Sequence, residues 1–222
     1  MIKAVIFDMF ETLITHYQSP LYFSAQMAED AAISVAEFRK YWDPTESDRS
    51  IGKLTFEETI RMVLQRNGCY SQARLDTIAA KRTAAKVECF RHLHPQILPM
   101  LARLRERGIS IGLISNCFSE EVGPIRQSVL FPYFDAVCLS YEEKVQKPDV
   151  EIFVRCMERL SVKAAECIYV GDGGSFELET ADRLGMNALQ AVWYLQEGTV
   201  QILSRKLGFD QLEKPLDVLT RL

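Results

Sequence analysis

Val5-Ile6-Phe7-Asp8-Met9-Phe10-Glu11-Thr12-Leu13 begins as an apolar run and breaks at Asp8 into a polar turn. A short apolar run bounded by turn residues reads as a buried strand, so an aspartate stands at that strand's carboxyl end. Open α/β sheets bind ligands at this edge, and an aspartate there can be phosphorylated and then hydrolysed. Taken alone, Asp8 fits a turn or a helix cap equally well. Its meaning depends on what the rest of the chain brings to the same edge.

Outward from this stretch, similar apolar runs recur at residues 2–7, 109–114, 136–139, 167–170 and 188–192. Between them, helical periodicity covers residues 97–106, 120–129, 150–160 and 176–184, with Gly108 and Gly185 placed as C-caps. Strand and helix in alternation predict right-handed crossovers and a parallel sheet, a doubly wound α/β core of Rossmann-like type. Residues 15–92 break the alternation, with helical patterns at 20–32, 35–41, 56–67 and 72–90 and no convincing strand. Thr55 with Glu57 and Glu58 marks a helix start, and Asn67-Gly68 a stop. The expected organisation is a core of residues 1–14 and 93–222, with a helical cap of residues 15–92 inserted after the first strand and able to close over the sheet edge.

The chain has 222 residues, 48% of them hydrophobic and 25% charged, enough for a sizeable core. A net charge of -4 argues against nucleic acid or an anionic membrane as partner. The six cysteines form no CxxC pair and read as reduced core residues. Cys117, just past a strand end, has no basic neighbour in sequence to activate it. No basic leader with an apolar h-region is legible, and no apolar stretch approaches about 18 residues, so a cytoplasmic protein is expected, with a monomer as the default.

Three further segments end strands on the edge expected for Asp8. Ser115 and Asn116 close an apolar run just before a helix start, where a hydroxyl beside backbone N–H groups can hold a phosphate oxygen. Lys147 precedes Pro148 and a helix, and a cation there can neutralise both a nucleophile and a bound anion. Gly171-Asp172 ends another run, and Glu177 follows five positions later near a helix start, which with Asp8 suits an oxygen-rich Mg²⁺ site. The glycines of this turn do not form a dinucleotide fingerprint.

Asp8 with Thr12-Leu13, Ser115-Asn116, Lys147-Pro148, and Gly171-Asp172 with Glu177 together resemble the four motifs of the haloacid dehalogenase superfamily, over essentially the whole chain. The resemblance implies a small helical cap after the first motif and hydrolysis of a small phosphorylated metabolite. Asp8 would attack phosphorus, Ser115 and Lys147 would hold the phosphoryl group, and Asp8, the Phe10 carbonyl and Asp172 would bind Mg²⁺. Glu177 would act through water on the metal or orient Lys147. Such chemistry divides the reaction at an aspartyl phosphate.

One position departs from the family's phosphatases, which usually carry a second Asp two residues after the nucleophile; here it is Phe10. Loss of such a general acid typically removes about 10² to 10⁴ in rate. Glu11 is a candidate stand-in, although alternation along an extended backbone directs it to solvent. An aromatic residue at this place also resembles the family's carbon–halogen branch, where the acid matching Asp172 is commonly absent. A pocket that binds phosphometabolites without turnover is the third reading. Arg49 and Lys53 are read as solvated charges, and His16 as a surface residue near the cap hinge.

Overall fold

In the computed structural model, which describes residues 1–196 and 204–222, the five expected strands form one parallel sheet. They are β1 (Ala4–Phe7), β2 (Ser110–Ser115), β3 (Ala136–Leu139), β4 (Cys167–Gly171) and β5 (Asn187–Ala191). A sixth, β6 (Asp210–Leu212), extends the edge beyond β5. Its Asp-Gln-Leu sequence has no apolar run, which is why periodicity missed it. The order β3-β2-β1-β4-β5-β6 reverses direction around β1, and the doubly wound α/β reading holds.

The block inserted after β1 contains five α-helices: α1 (Ser24–Ala31), α2 (Val35–Trp42), α3 (Glu46–Ser50), α4 (Phe56–Arg66) and α5 (Gln72–Cys89). The first starts four residues later than its pattern, because Phe23 is extended and takes the N-cap position. For α4 both signals hold: Thr55 and Glu58 form a reciprocal capping box, and Gly68 takes the left-handed φ of +66° that ends the chain's helical course. The block buries its own apolar cluster, with Met27, Phe38, Phe56, Ile60 and Leu64 at its centre. At about 1.5–3 kcal/mol per large buried side chain, this cluster is the main force holding the five helices together.

After the block come α6 (Ile97–Glu106), α7 (Ser119–Gln127), α8 (Ser140–Glu143), α9 (Val150–Leu160) and α10 (Glu177–Arg183). Strand alternation divides the core into two layers. Val5, Phe7, Ile111, Leu113, Ile168 and Val170 face α6 and Ile125 of α7. Ala4, Ile6 and Tyr169 face the other way, onto α9 and α10. Two expected helices are trimmed: α7 ends at Gln127 because Ser128 turns extended, and α10 begins only at Glu177 because Phe176 has a φ of +53°. The same sheet edge receives the ends of β1, β2 and β4, so Asp8, Ser115 and Asp172 emerge together.

Candidate active site

Asp8 leaves β1 with its N–H donating to the Val170 carbonyl at 2.9 Å, which anchors it against β4. Lys147, after β3, puts Nζ 2.6 Å from Asp8 Oδ1. The two strand ends are tied by a reciprocal pair: Asn116 Nδ2 donates to the Lys147 carbonyl at 3.0 Å, and Lys147 N–H donates to Asn116 Oδ1 at 2.8 Å. Ser115 is fully buried, and its hydroxyl donates only a long 3.3 Å bond to the Asn116 carbonyl. Asp172 and Glu177 complete the group, and ligand atoms of Asp8, Asp172 and Glu177 lie within 4.8 Å of one another. Asp8, Lys147, Asp172 and Glu177 therefore meet at one place, with Asn116 tied to Lys147 beside them.

The electrostatics of this group are unbalanced. Burial, partly offset by Lys147, pushes Asp8 up to about 6. Burial together with Asp8 and Glu177 pushes Asp172 well above the carboxylate range. Burial would raise Glu177 too, but Lys147 and the turn N–H groups hold it low. Gly173 N–H donates to its Oε1 at 2.7 Å and Ser175 N–H to its Oε2 at 2.6 Å. Three crowded carboxylates face one ammonium, an all-oxygen donor set of the kind a hard divalent cation relieves. The residues present thus fit Mg²⁺.

The first loop is tighter than its sequence indicates. The Met9 carbonyl accepts from both Leu13 and Ile14 N–H, and Glu11 has a φ of +58°. That left-handed turn interrupts strand alternation and folds Glu11 inward, contrary to the expected solvent-facing side chain. Thr15 Oγ1 donates to Glu11 Oε2 at 2.6 Å, and His16 N–H donates to Oε1 at 3.0 Å. His16 is likewise not a surface residue. Its ring stacks on Phe10 at 4.8 Å between centroids, and Lys86 Nζ lies 2.7 Å from Nε2. Burial and the nearby Lys86 and Arg82 keep this imidazole neutral, so Nε2 accepts from Lys86 and the proton sits on Nδ1, facing Glu11.

Above Phe10, the helical block meets α7 through buried charges. Arg82 Nε stands 3.1 Å from Glu120 Oε1, and Lys86 Nζ 2.5 Å from Glu121 Oε1. Arg49 is buried as well, which overturns its reading as a solvated charge. Its guanidinium carbon is 3.6 Å from the Trp42 ring centroid and 4.5 Å from that of Phe118. Aromatic rings this close to a guanidinium attract it by cation–π contact and exclude water. Lys53 does stay outside, 3.2 Å from Asp48. Arg82 and Lys86 escaped sequence reasoning, although two cations four apart on one long helix were a signal that they share a face. Cys117 is buried and its thiol is held high by that burial, an unreactive core cysteine as expected.

A cavity of about 300 Å³ lies here, lined by Phe10, Arg49, Arg82, Lys86 and Phe118 among others. A second, of about 410 Å³, contains Asp8, Lys147 and Asp172 and shares Phe10, Glu46 and Asn116 with the first. The two cavities are therefore neighbours on either side of Phe10, Glu46 and Asn116.

A sequence model of the haloacid dehalogenase-like hydrolases matches residues 2–185. The chain belongs to this family. A glyceraldehyde 3-phosphate phosphatase of Methanopyrus kandleri is 28% identical over 202 residues, 84% of this chain and 82% of that protein. Among solved structures, the HAD phosphatase of Thermococcus onnurineus superposes with a TM-score of 0.67 at 19% identity, over 99% of this chain and 97% of that one. The L-2-haloacid dehalogenase of Xanthobacter autotrophicus, with chloropropionic acid covalently bound, gives 0.66 at 19% identity, over 100% and 99%. Phosphatase and dehalogenase fit the backbone equally well, so these superpositions establish the fold and leave the chemistry to the side chains.

Proposed function

We propose that the chain is a Mg²⁺-dependent phosphatase of small phosphorylated metabolites, acting through an aspartyl phosphate on Asp8. The observation that carries this reading is the buried triad of Asp8, Asp172 and Glu177 with Lys147 paired to Asp8. The acid at Asp172 favours phosphoryl over carbon–halogen chemistry, since a neutral alkyl halide gives a metal site nothing to neutralise. The glyceraldehyde 3-phosphate phosphatase named above, matched over most of both chains, points the same way.

In this reading the carboxylates of Asp8 and Asp172 and the Phe10 carbonyl hold Mg²⁺, which when bound neutralises charge between the nucleophile and the phosphoryl group. Glu177, with both oxygens on turn N–H groups, supports the site from behind and orients Lys147. Asp8 attacks phosphorus, the P–O bond to the alcohol breaks, and the alkoxide takes a proton from water because Phe10 supplies none. Ser115 and Lys147 stabilise charge on the equatorial oxygens. Water then opens the aspartyl phosphate and releases inorganic phosphate. Residues 15–92 act as a cap over the core of residues 1–14 and 93–222, and Asn116 keeps Lys147 in register.

One observation favours a second reading. Phe10 carries the His16 ring where a general acid would stand, so a pocket that binds phosphometabolites and turns them over slowly is the alternative. Phosphate release from p-nitrophenyl phosphate distinguishes the two. Hydrolysis requires turnover with Mg²⁺ that vanishes with EDTA and in Asp8→Asn. A wild-type protein that binds phosphate esters yet releases no phosphate would favour the second.

A further inference from the structure

We propose that Arg49 binds a carboxylate at the far end of the substrate, so that the preferred phosphate monoesters carry a second, monoanionic group. The inference rests on the phosphatase reading and specifies its substrate class. Three buried cations line the cavity under the helical block: Arg49, Arg82 and Lys86. Two of them face buried carboxylates at ion-pair distance, Arg82 with Glu120 and Lys86 with Glu121. Among the described residues no carboxylate stands at that distance from Arg49, whose Nε donates to the Thr45 hydroxyl at 3.0 Å and whose buried Nη1 has no partner at all. Asp43 and Glu46, which also line the cavity, are exposed at its rim.

A buried donor without an acceptor is rare in folded proteins, and a buried cation without a counter-charge rarer. Trp42 and Phe118 both contact the guanidinium, at 3.6 and 4.5 Å from their ring centroids, and leave its N–H edge for a planar, two-oxygen partner. Glu120, Glu121 and Glu46 act on Arg49 only from beyond ion-pair distance, so a single carboxylate completes its contacts without the excess charge of a second phosphate. The cavity adjoins the one at Asp8, with Phe10, Glu46 and Asn116 lining both, so the two ends of one small molecule would fall in neighbouring cavities. Phe10 then has a positive role: it forms the apolar floor between the two anionic ends.

The test is calorimetric binding to the Asp8→Asn protein in Mg²⁺, which leaves the ligand intact. The two probes have equal carbon counts: 3-phosphoglycerate carries the carboxylate, glycerol 3-phosphate does not. The carboxylate should tighten binding roughly 10- to 100-fold, the range of a charge-assisted bidentate pair. Arg49→Gln should erase the difference, and Arg49→Lys should recover only part of it because an ammonium lacks the fork. Equal, weaker or undetectable binding of 3-phosphoglycerate with Arg49 intact overturns the proposal, whatever becomes of the variants. Tighter binding of propane-1,3-diol bisphosphate than of 3-phosphoglycerate overturns the carboxylate assignment. Failure of the phosphatase reading shows separately, as absent release from p-nitrophenyl phosphate, which has no carboxylate.

Discussion

Phe10 is the residue at which this chain departs most from its family's phosphatases. Replacing it by Asp supplies a proton donor two residues after the nucleophile. Phe10→Asp should raise kcat/KM on alkyl phosphates by about 10²-fold, with a smaller gain on p-nitrophenyl phosphate, whose leaving group needs no proton; an equal change on both would mean the new acid does not protonate the leaving oxygen. The carboxylates make a second prediction. With the metal stripped, the native Asp8 and Asp172 retain protons that the unfolded chain has already released, since both are raised by burial. The sign follows: metal-free stability falls as pH rises from the ordinary carboxylate range through about 6. Mg²⁺ binds the ionised forms, so its stabilising effect should be small at pH 5 and grow towards pH 8. At 100 times Kd it amounts to about 2.7 kcal/mol, a shift of roughly 5–10 °C in Tm by scanning calorimetry with and without EDTA. A shift independent of pH would remove these carboxylates from the metal site.

At the scale of elements, helix ends that could be read from sequence have identifiable caps. Thr55 accepts from Glu58 N–H at 3.2 Å and Glu58 returns the bond to Thr55 N–H at 2.8 Å, so α4 starts where the Thr-x-x-Glu pattern says it should. Thr55→Ala should cost about 1 kcal/mol in urea unfolding, with little change in kcat. Short elements were illegible for a different reason. β6 and α8 are three and four residues long, below the span over which either period repeats. The short α8 matters nonetheless. Its first residue, Ser140, donates to the Ser50 carbonyl at 2.8 Å and accepts from Cys117 N–H at 2.9 Å, a buried joint between the helical block and the core. Ser140→Ala should therefore destabilise by about 1–3 kcal/mol in the same assay, since it orphans both backbone groups.

Over the whole molecule, the helical block is held to the core by charge as well as by apolar contact. Arg82 and Lys86 of α5 reach Glu120 and Glu121 of α7, and Ser119 Oγ accepts from Phe56 N–H at 2.9 Å. Arg82→Met leaves Glu120 buried and uncompensated, and should cost about 3–5 kcal/mol. Arg82→Met with Glu120→Leu should recover much of that loss. Equilibrium unfolding of the two variants and the wild type measures both; a double variant no more stable than Arg82→Met would show that the pair is not an isolated unit.

The sequence by itself determined five of the six strands, their parallel pairing and the four segments that carry the site, because each depends on local pattern: apolar runs of strand length, and turns that begin where the runs end. Asp8, Ser115 and Asp172 converge because neighbouring parallel strands end at one edge, which is a property of topology and so readable in advance. Only the tertiary structure decided the roles of Glu11, His16 and Arg49. A left-handed turn at Glu11 reverses the direction that alternation implies. Arg82 and Glu120 are separated by 38 residues, and no periodicity within one helix reveals which face of another it will meet. Whether a charge is solvated or buried is settled by the surface packed against it, and that surface is contributed by other elements.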